Sequence, residues 1–195
     1  MKLIDITRTV QEAPVYPGSK PIEIEKLYDM QKGDPFNVSK ITAGSHLGTH
    51  ADAGCHFIKD NPFGIDKMEL FRYYGSCRVL TFAADSLITR EALEGRIDGC
   101  ERMVIRGGES AFLTRAAADY IIEKGVLTIV TDAMSIAPPD NEAEIHRAVM
   151  GTGIAVVENV ILDGVEDGEY TLSAFPVKIG GGDGAPVRAV LIKDK

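Results

Sequence analysis

His46-Leu47-Gly48-Thr49-His50-Ala51-Asp52-Ala53-Gly54-Cys55-His56 is the stretch around which the chain is organised. It holds three of the four histidines of the protein, with an aspartate between the second and the third. Imidazole and carboxylate bind zinc, manganese and iron readily, and imidazole is also the commonest proton carrier near neutral pH. Gly48 and Gly54 disfavour a regular helix here, despite the i, i+4 spacing of His46 and His50. If His50-Ala51-Asp52 is extended, its first and third side chains point to one side, because a strand repeats every two residues. Gly48 then lets the backbone turn so that His46 converges on the same point, and the Thr49 hydroxyl either orients a ligand or caps the turn. The expectation is a metal site with a proton-transfer group attached. The competing reading is a surface loop whose histidines bond only to water.

Upstream, residues 2–7 and 22–27 alternate apolar and polar positions, the second as a half-exposed strand. Between them, Ala13-Pro14-Val15-Tyr16-Pro17-Gly18 must run extended or turn, because its prolines forbid helix. Residues 36–42 form a candidate strand that leads straight into the histidines. Downstream, Asn61-Pro62-Phe63-Gly64 is a turn, 77–82 a strand, and 89–93 a short helix with Thr89 as cap. Residues 103–105 form a short strand. The clearest helix spans 114–124, with Thr114 as N-cap and Gly125 as its stop. The β-branched run 126–130 follows as a buried strand, so strand, helix and strand suggest one parallel crossover. Pro138-Pro139 precedes a further helix over 142–150, and 154–157, 160–162, 170–179 and 186–192 read as strands. Strands outnumber helices and do not alternate regularly with them. The expected fold is α/β, a β-rich mixed sheet or barrel-like core with a few covering helices, in one domain over 1–195.

The chain has 195 residues, 45% hydrophobic and 26% charged, as in an ordinary globular domain. Its net charge of −8 argues against nucleic acid or an anionic membrane surface as partner. No apolar run approaches the roughly 20 residues of a membrane span, and Asp5 and Glu12 interrupt any signal-peptide core. Cys55, Cys77 and Cys100 form no Cys-x-x-Cys pair, which fits reduced thiols in a cytoplasmic protein. Taken singly, His146 reads as a surface or half-buried helix histidine, and Glu158 as the solvent end of a strand or as a carboxylate brought into a pocket. Gly180-Gly181-Gly182-Asp183-Gly184 lacks a phosphate loop's Lys-Ser/Thr ending, so turn glycines are the better account. Cys55 beside His56 is poorly placed for proton transfer if the chain is extended there.

The spacing His46-x-Gly48-Thr49-His50-x-Asp52-x-x-x-His56 resembles the signature of the cyclase family, which includes bacterial kynurenine formamidase and isatin hydrolase. Asp5-Ile6-Thr7, Val15-Tyr16-Pro17-Gly18, His146-Arg147-Ala148, Val157-Glu158-Asn159 and Asp183-Gly184-Ala185-Pro186-Val187-Arg188 are similar to family segments in the expected order. The resemblance implies His46, His50 and Asp52 as metal ligands and His146 and Glu158 as completing a site for one or two ions. Those ions are usually Zn2+, with Mn2+ in some members. It implies His56 as general acid/base, a swivelling β/β/α fold, and a homodimer or higher homo-oligomer with the site near the subunit boundary. Gly54 stands where the family has proline, which is expected to loosen the loop before His56. The family's formamidases hold the substrate ring on a Trp near Tyr16. This chain has no Trp, so Tyr16 is the substrate-binding residue expected there.

The implied chemistry is metal-assisted hydrolysis of a small-molecule amide, a formamide of the N-formylkynurenine class, with His56 moving the proton. Two alternatives stand beside it: hydrolysis of a cyclic, isatin-like amide, and a metal-binding sensor or scaffold with little activity.

Overall fold

The β-branched runs in the middle of the chain form the buried centre of a nine-stranded sheet, seen in a computed structural model that describes residues 1–193. In chain order the elements are β1 (Lys2–Asp5), β2 (Glu23–Tyr28), β3 (Val38–Thr42), β4 (His50–Asp52), β5 (Tyr74–Thr81) and β6 (Leu87–Ile88). Then come α1 (Arg90–Leu93), β7 (Arg102–Arg106), β8 (Phe112–Leu113), α2 (Arg115–Glu123), β9 (Thr128–Thr131), α3 (Glu142–Met150), β10 (Ala155–Glu158), β11 (Gly168–Ser173), β12 (Gly184–Pro186) and β13 (Val190–Lys193). The large sheet runs β1-β13-β11-β5-β7-β9-β10-β4-β12, and β2–β3 and β6–β8 pair separately. It is the mixed, β-rich sheet with few helices that the sequence leads one to expect, curled into a half-barrel.

Its parallel part is larger than the single expected crossover: β5–β7, β7–β9 and β9–β10 are all parallel. The helices α1, α2 and α3 are carried by the three connections. α2 is built as its sequence suggests, since the Thr114 hydroxyl accepts the Ala117 N–H and Gly125 leaves the helix at φ +70°. A cap of this kind is worth about 1 kcal/mol. Alternation along the central strands divides the core in two. Met103, Ile105, Ile129 and Val156 pack under the helices with Leu93, Ile121, Ile145 and Val149. Val79, Val104, Val130, Ala155 and Val157 fill the other face with Ile6, Leu172 and Leu191. Each such aliphatic side chain contributes about 1.5–3 kcal/mol on full burial.

Four local expectations are corrected. β2 is not half-exposed: every residue of β2 and β3 is exposed, because this ribbon pairs only with itself and no layer covers it. Residues 160–162 make no strand, since Asn159 at φ +63° breaks the pleat just before them, leaving only a Thr7–Val160 bridge. The strand expected over 170–179 ends at Ser173, before Pro176. The strand expected over 186–192 is two, β12 and β13.

Candidate metal centre

The site is assembled on β4, which lies between β10 and β12. Glu158 stands directly across from His50 on one side, and Gly184 across from Asp52 on the other. Alternation sends Ala51 into the core of the curled sheet and leaves His50 and Asp52 together on the helix-covered face, as the extended reading requires. Asp52 is in register with Val156, and Glu158 follows two residues later, so both carboxylates share that face. α3 buries His146 against them, along with its neighbours Ile145, Val149 and Met150. His146 is more deeply buried than a surface or half-buried helix histidine, and of the two readings of Glu158 the carboxylate brought into a pocket is the one observed.

His50, Asp52, His146 and Glu158 are 1–4% exposed, so the cluster is essentially dry. His50 Nε2 lies 3.3 Å from Asp52 Oδ1 and 3.5 Å from Glu158 Oε2. His146 Nε2 lies 3.1 Å from Glu158 Oε1 and 3.8 Å from Asp52 Oδ2. His46 Nδ1 is 2.9 Å from Asp52 Oδ1. Backbone partners set the rings: His50 Nδ1 donates to the Gly48 carbonyl at 2.9 Å, and His146 Nδ1 to the Glu142 carbonyl at 2.8 Å. Both Nε2 atoms are thereby aimed into the cluster, the arrangement by which ligating imidazoles are usually oriented. Glu158 Oε1 also accepts the Ile136 N–H at 2.8 Å, and the Phe57 ring stacks on His146 at 4.2 Å.

Burial and mutual charge set the ionisation of the cluster. Burial raises the pKa of Asp52, but hydrogen bonds from His46 and His50 outweigh it and hold the carboxyl well below its ordinary value. Glu158 is likewise lowered: burial and the Asp52 charge push it up, and the bonds from His146 and His50 prevail. Conversely, burial drags His50 down while Asp52 and Glu158 push it up to about 10, and His146 is raised chiefly by Glu158 against burial. Two buried carboxylates thus call for compensating positive charge, which the imidazoles favour and a divalent cation would supply. The donor atoms suit such an ion. Those of His46, His50 and Asp52 lie within 4.8 Å of one another, as do those of Asp52, His146 and Glu158, with Asp52 common to both sets. His46 Nε2 is buried and makes no well-aligned hydrogen bond, so it is a further donor atom at the site.

His56 sits at the edge of this cluster, its ring stacked on His46 at 3.9 Å. Desolvation holds its pKa below the ordinary histidine value, against the opposing pull of Asp52. A cavity of about 370 Å³ opens over these residues, lined by His46, His50, His56, His146 and Glu158, with Tyr16 in its wall. The Tyr16 hydroxyl donates to Glu142 Oε2 at 2.8 Å, tying the Pro-rich segment to the first turn of α3.

Sequence reasoning missed three contributors. Asp183 Oδ2 lies 3.4 Å from His46 Nε2, and a third donor set unites His46, His56 and Asp183. Gly184 is more than a turn glycine, since a Cβ there would meet His46 Cε1 at 2.7 Å. Its signal was the Gly-rich run itself, which marks close approach as well as turning. Phe57, next to His56, carries no sequence signature at all. Cys55 lies in a 3-10 turn, Gly54–His56, not in extended chain. Its thiol is pushed up, mainly by burial, so it remains an unsuitable nucleophile.

Gly54 leaves no open space beside it for a side chain. A Cβ at Gly54 would come within 2.6 Å of Asn61 Nδ2, so the space a proline ring would need is filled by Asn61. Asn61 Oδ1 accepts the Phe63 N–H at 2.8 Å, and the Phe63 carbonyl accepts the Cys55 N–H at 3.4 Å, closing the turn that presents His56. Gly54→Ala is expected to destabilise the protein by about 1–3 kcal/mol through overpacking. Adding Asn61→Gly should recover most of that loss. A urea-unfolding double-mutant cycle with no coupling between the two sites would contradict this packing.

A family model described as "Putative cyclase" matches residues 4–138. The chain is 32% identical over 201 residues to the kynurenine formamidase of Bacillus cytotoxicus, covering 96% of each chain. It is 33% identical over 203 residues to that of Bacillus anthracis, covering 97% of each. Among solved structures, a predicted metal-dependent hydrolase from Bacillus stearothermophilus superposes with a TM-score of 0.81 at 23% identity, over 97% of both chains. An isatin hydrolase bound to the product analogue thioisatinate superposes with a TM-score of 0.85 at 19% identity, over 100% of this chain and 93% of that one. The family model over residues 4–138 and relatives 32–33% identical over 96–97% of the chain make this protein a member of the cyclase family.

Proposed function

We propose that the chain is a divalent-metal-dependent amidohydrolase acting on an aryl formamide of the N-formylkynurenine class. The observation that carries the reading is the dry cluster of His50, Asp52, His146 and Glu158 at the base of the cavity, with His56 at its edge. The identity to two kynurenine formamidases over nearly the whole chain supports the choice of bond.

His46, His50 and Asp52 would hold one ion, and Asp52, His146 and Glu158 a second, with Asp52 shared. The mixed nitrogen and oxygen donors suit Zn2+ first and Mn2+ next. Such an ion, when bound, polarises a carbonyl and makes water acidic enough to attack near neutral pH. The protein's own part is proton transfer, exclusion of water and placement. His56, with its pKa below the ordinary value, is neutral at pH 7. It accepts a proton from the attacking water and returns it to the leaving nitrogen. Phe57 and the walls around His146 keep bulk water from the cluster. Tyr16 offers its ring edge to the aryl group, with the hydroxyl already anchored on Glu142.

The reaction is small-molecule chemistry in the cytoplasm. The free thiols Cys55, Cys77 and Cys100 are consistent with a reducing compartment. Among the described residues no helix is long and apolar enough to cross a membrane. A second copy of the chain is the expected partner, with the β2–β3 ribbon as its docking element. Ile24, Leu27, Tyr28, Val38 and Ile41 are exposed on that ribbon, and an isolated pair of strands is marginal in water. The ribbon springs from the rim of the cavity, between Lys20 and Gly44 in its lining, so the partner would sit beside the site.

Two outcomes test the proposal. His56→Ala should keep its metal content and lose turnover of N-formylkynurenine by about 100-fold or more, while His50→Ala should lose the metal itself. Equal turnover by metal-free protein, or full metal with no turnover on formamides or isatin-like rings, would refute it. The second outcome would favour a sensor, and turnover of the rings alone would favour the cyclic-amide alternative. For the partner, sedimentation should find a dimer that Ile41→Asp dissociates. A monomeric wild type would contradict the docking role of the ribbon.

A further inference from the structure

Asn159 follows Glu158 and lines the same cavity. Its backbone is left-handed at φ +63°, which Asn tolerates better than most residues and Gly best of all. Two hydrogen bonds hold it there: its N–H donates to the Ala133 carbonyl at 2.9 Å, and its carbonyl accepts the Thr49 hydroxyl at 2.8 Å. The Thr49 oxygen in turn accepts the Arg8 N–H at 2.8 Å, so the segment is tied from both sides.

The side chain has no such partners. Asn159 is 3% exposed, yet its Oδ1 is buried without a donor. Arg8 Nε is likewise buried without an acceptor. A buried amide oxygen left unpaired is a standing cost. If position 159 served only to turn the chain after β10, Gly would do so without that cost. Asn159 lines the cavity, and a turn of its side chain would bring the unpaired carboxamide oxygen to an occupant.

We infer that the Asn159 carboxamide binds the N–H of the scissile amide. This rests on the amide-hydrolase reading above, because the N–H is the donor that an amide has and an ester lacks. Asn159 would hold the amide nitrogen beside Glu158 and fix which way the carbonyl is turned. The residue then discriminates for amides over esters of the same shape, since a pocket built around a hydrogen-bonding group rejects analogues that lack it.

The test is Asn159→Gly, which keeps the left-handed backbone and removes only the carboxamide. With N-phenylformamide and phenyl formate as paired substrates, the variant should lose kcat/KM ten-fold or more on the formamide and less than two-fold on the ester. Equal losses on both would assign the carboxamide to the site's water or to the loop, and unchanged rates on both would leave it no role; either overturns the inference. A second readout does not depend on turnover. Calorimetry should find that wild type binds oxindole at least five-fold more tightly than N-methyloxindole, and that Asn159→Gly binds the two alike. An N–H preference that Asn159→Gly abolishes, without amide hydrolysis, would sink the catalytic reading and the scissile amide as the ligand while keeping the carboxamide as the pocket's N–H acceptor. No preference in the wild type would sink the Asn159 inference alone.

Discussion

Asp52 and Glu158 are two carboxylates on adjacent strands, on the same face, with almost no access to water. Removing one such charge from water costs several kcal/mol even after relaxation, and each carboxylate disfavours ionisation of the other. The cluster survives in the fold only because imidazoles surround it, and His50 and His146 are raised for that reason. Everything near the site follows from meeting this constraint. β4 lies between β10 and β12 so that His50 faces Glu158. Gly184 has no side chain so that the His46 ring can close on Asp52. The Gly48 and Glu142 carbonyls fix which imidazole nitrogen points inward. Buried ion clusters of this kind are poor sources of stability, so their presence points to function.

Much of this was legible in the chain. The i, i+2 placement of His50 and Asp52 needed only an extended backbone to put them on one face, and β4 supplies it. α2 and α3 could be read from caps, prolines and periodicity. What could not be read from the residues alone was the convergence of His146 and Glu158, about a hundred positions downstream, because it depends on sheet order. Local pattern does not reveal that β10 pairs with β4. The resemblance to a family supplied that link before the structure did.

The failures have their own physical causes. β2 alternates like a half-buried strand, but alternation does not say what lies opposite, and here nothing in the described chain does. Gly54 in place of proline suggested slack; the neighbouring Asn61 takes up the space, and no one-residue comparison could show a compensating partner. Asn159 reads in sequence as one more turn residue, and only an unpaired carboxamide in a cavity wall marks it as more.

The central claim is that this cluster binds a divalent cation. Calorimetric titration of chelator-stripped protein with Zn2+ or Mn2+, repeated in buffers of different ionisation enthalpy, counts the protons exchanged. His50 is raised to about 10 and is protonated at pH 7.5, and His146 is raised too. Ligation requires neutral imidazole, so binding should release protons and weaken as pH falls. Binding with no proton release, or no binding at all, would contradict the account.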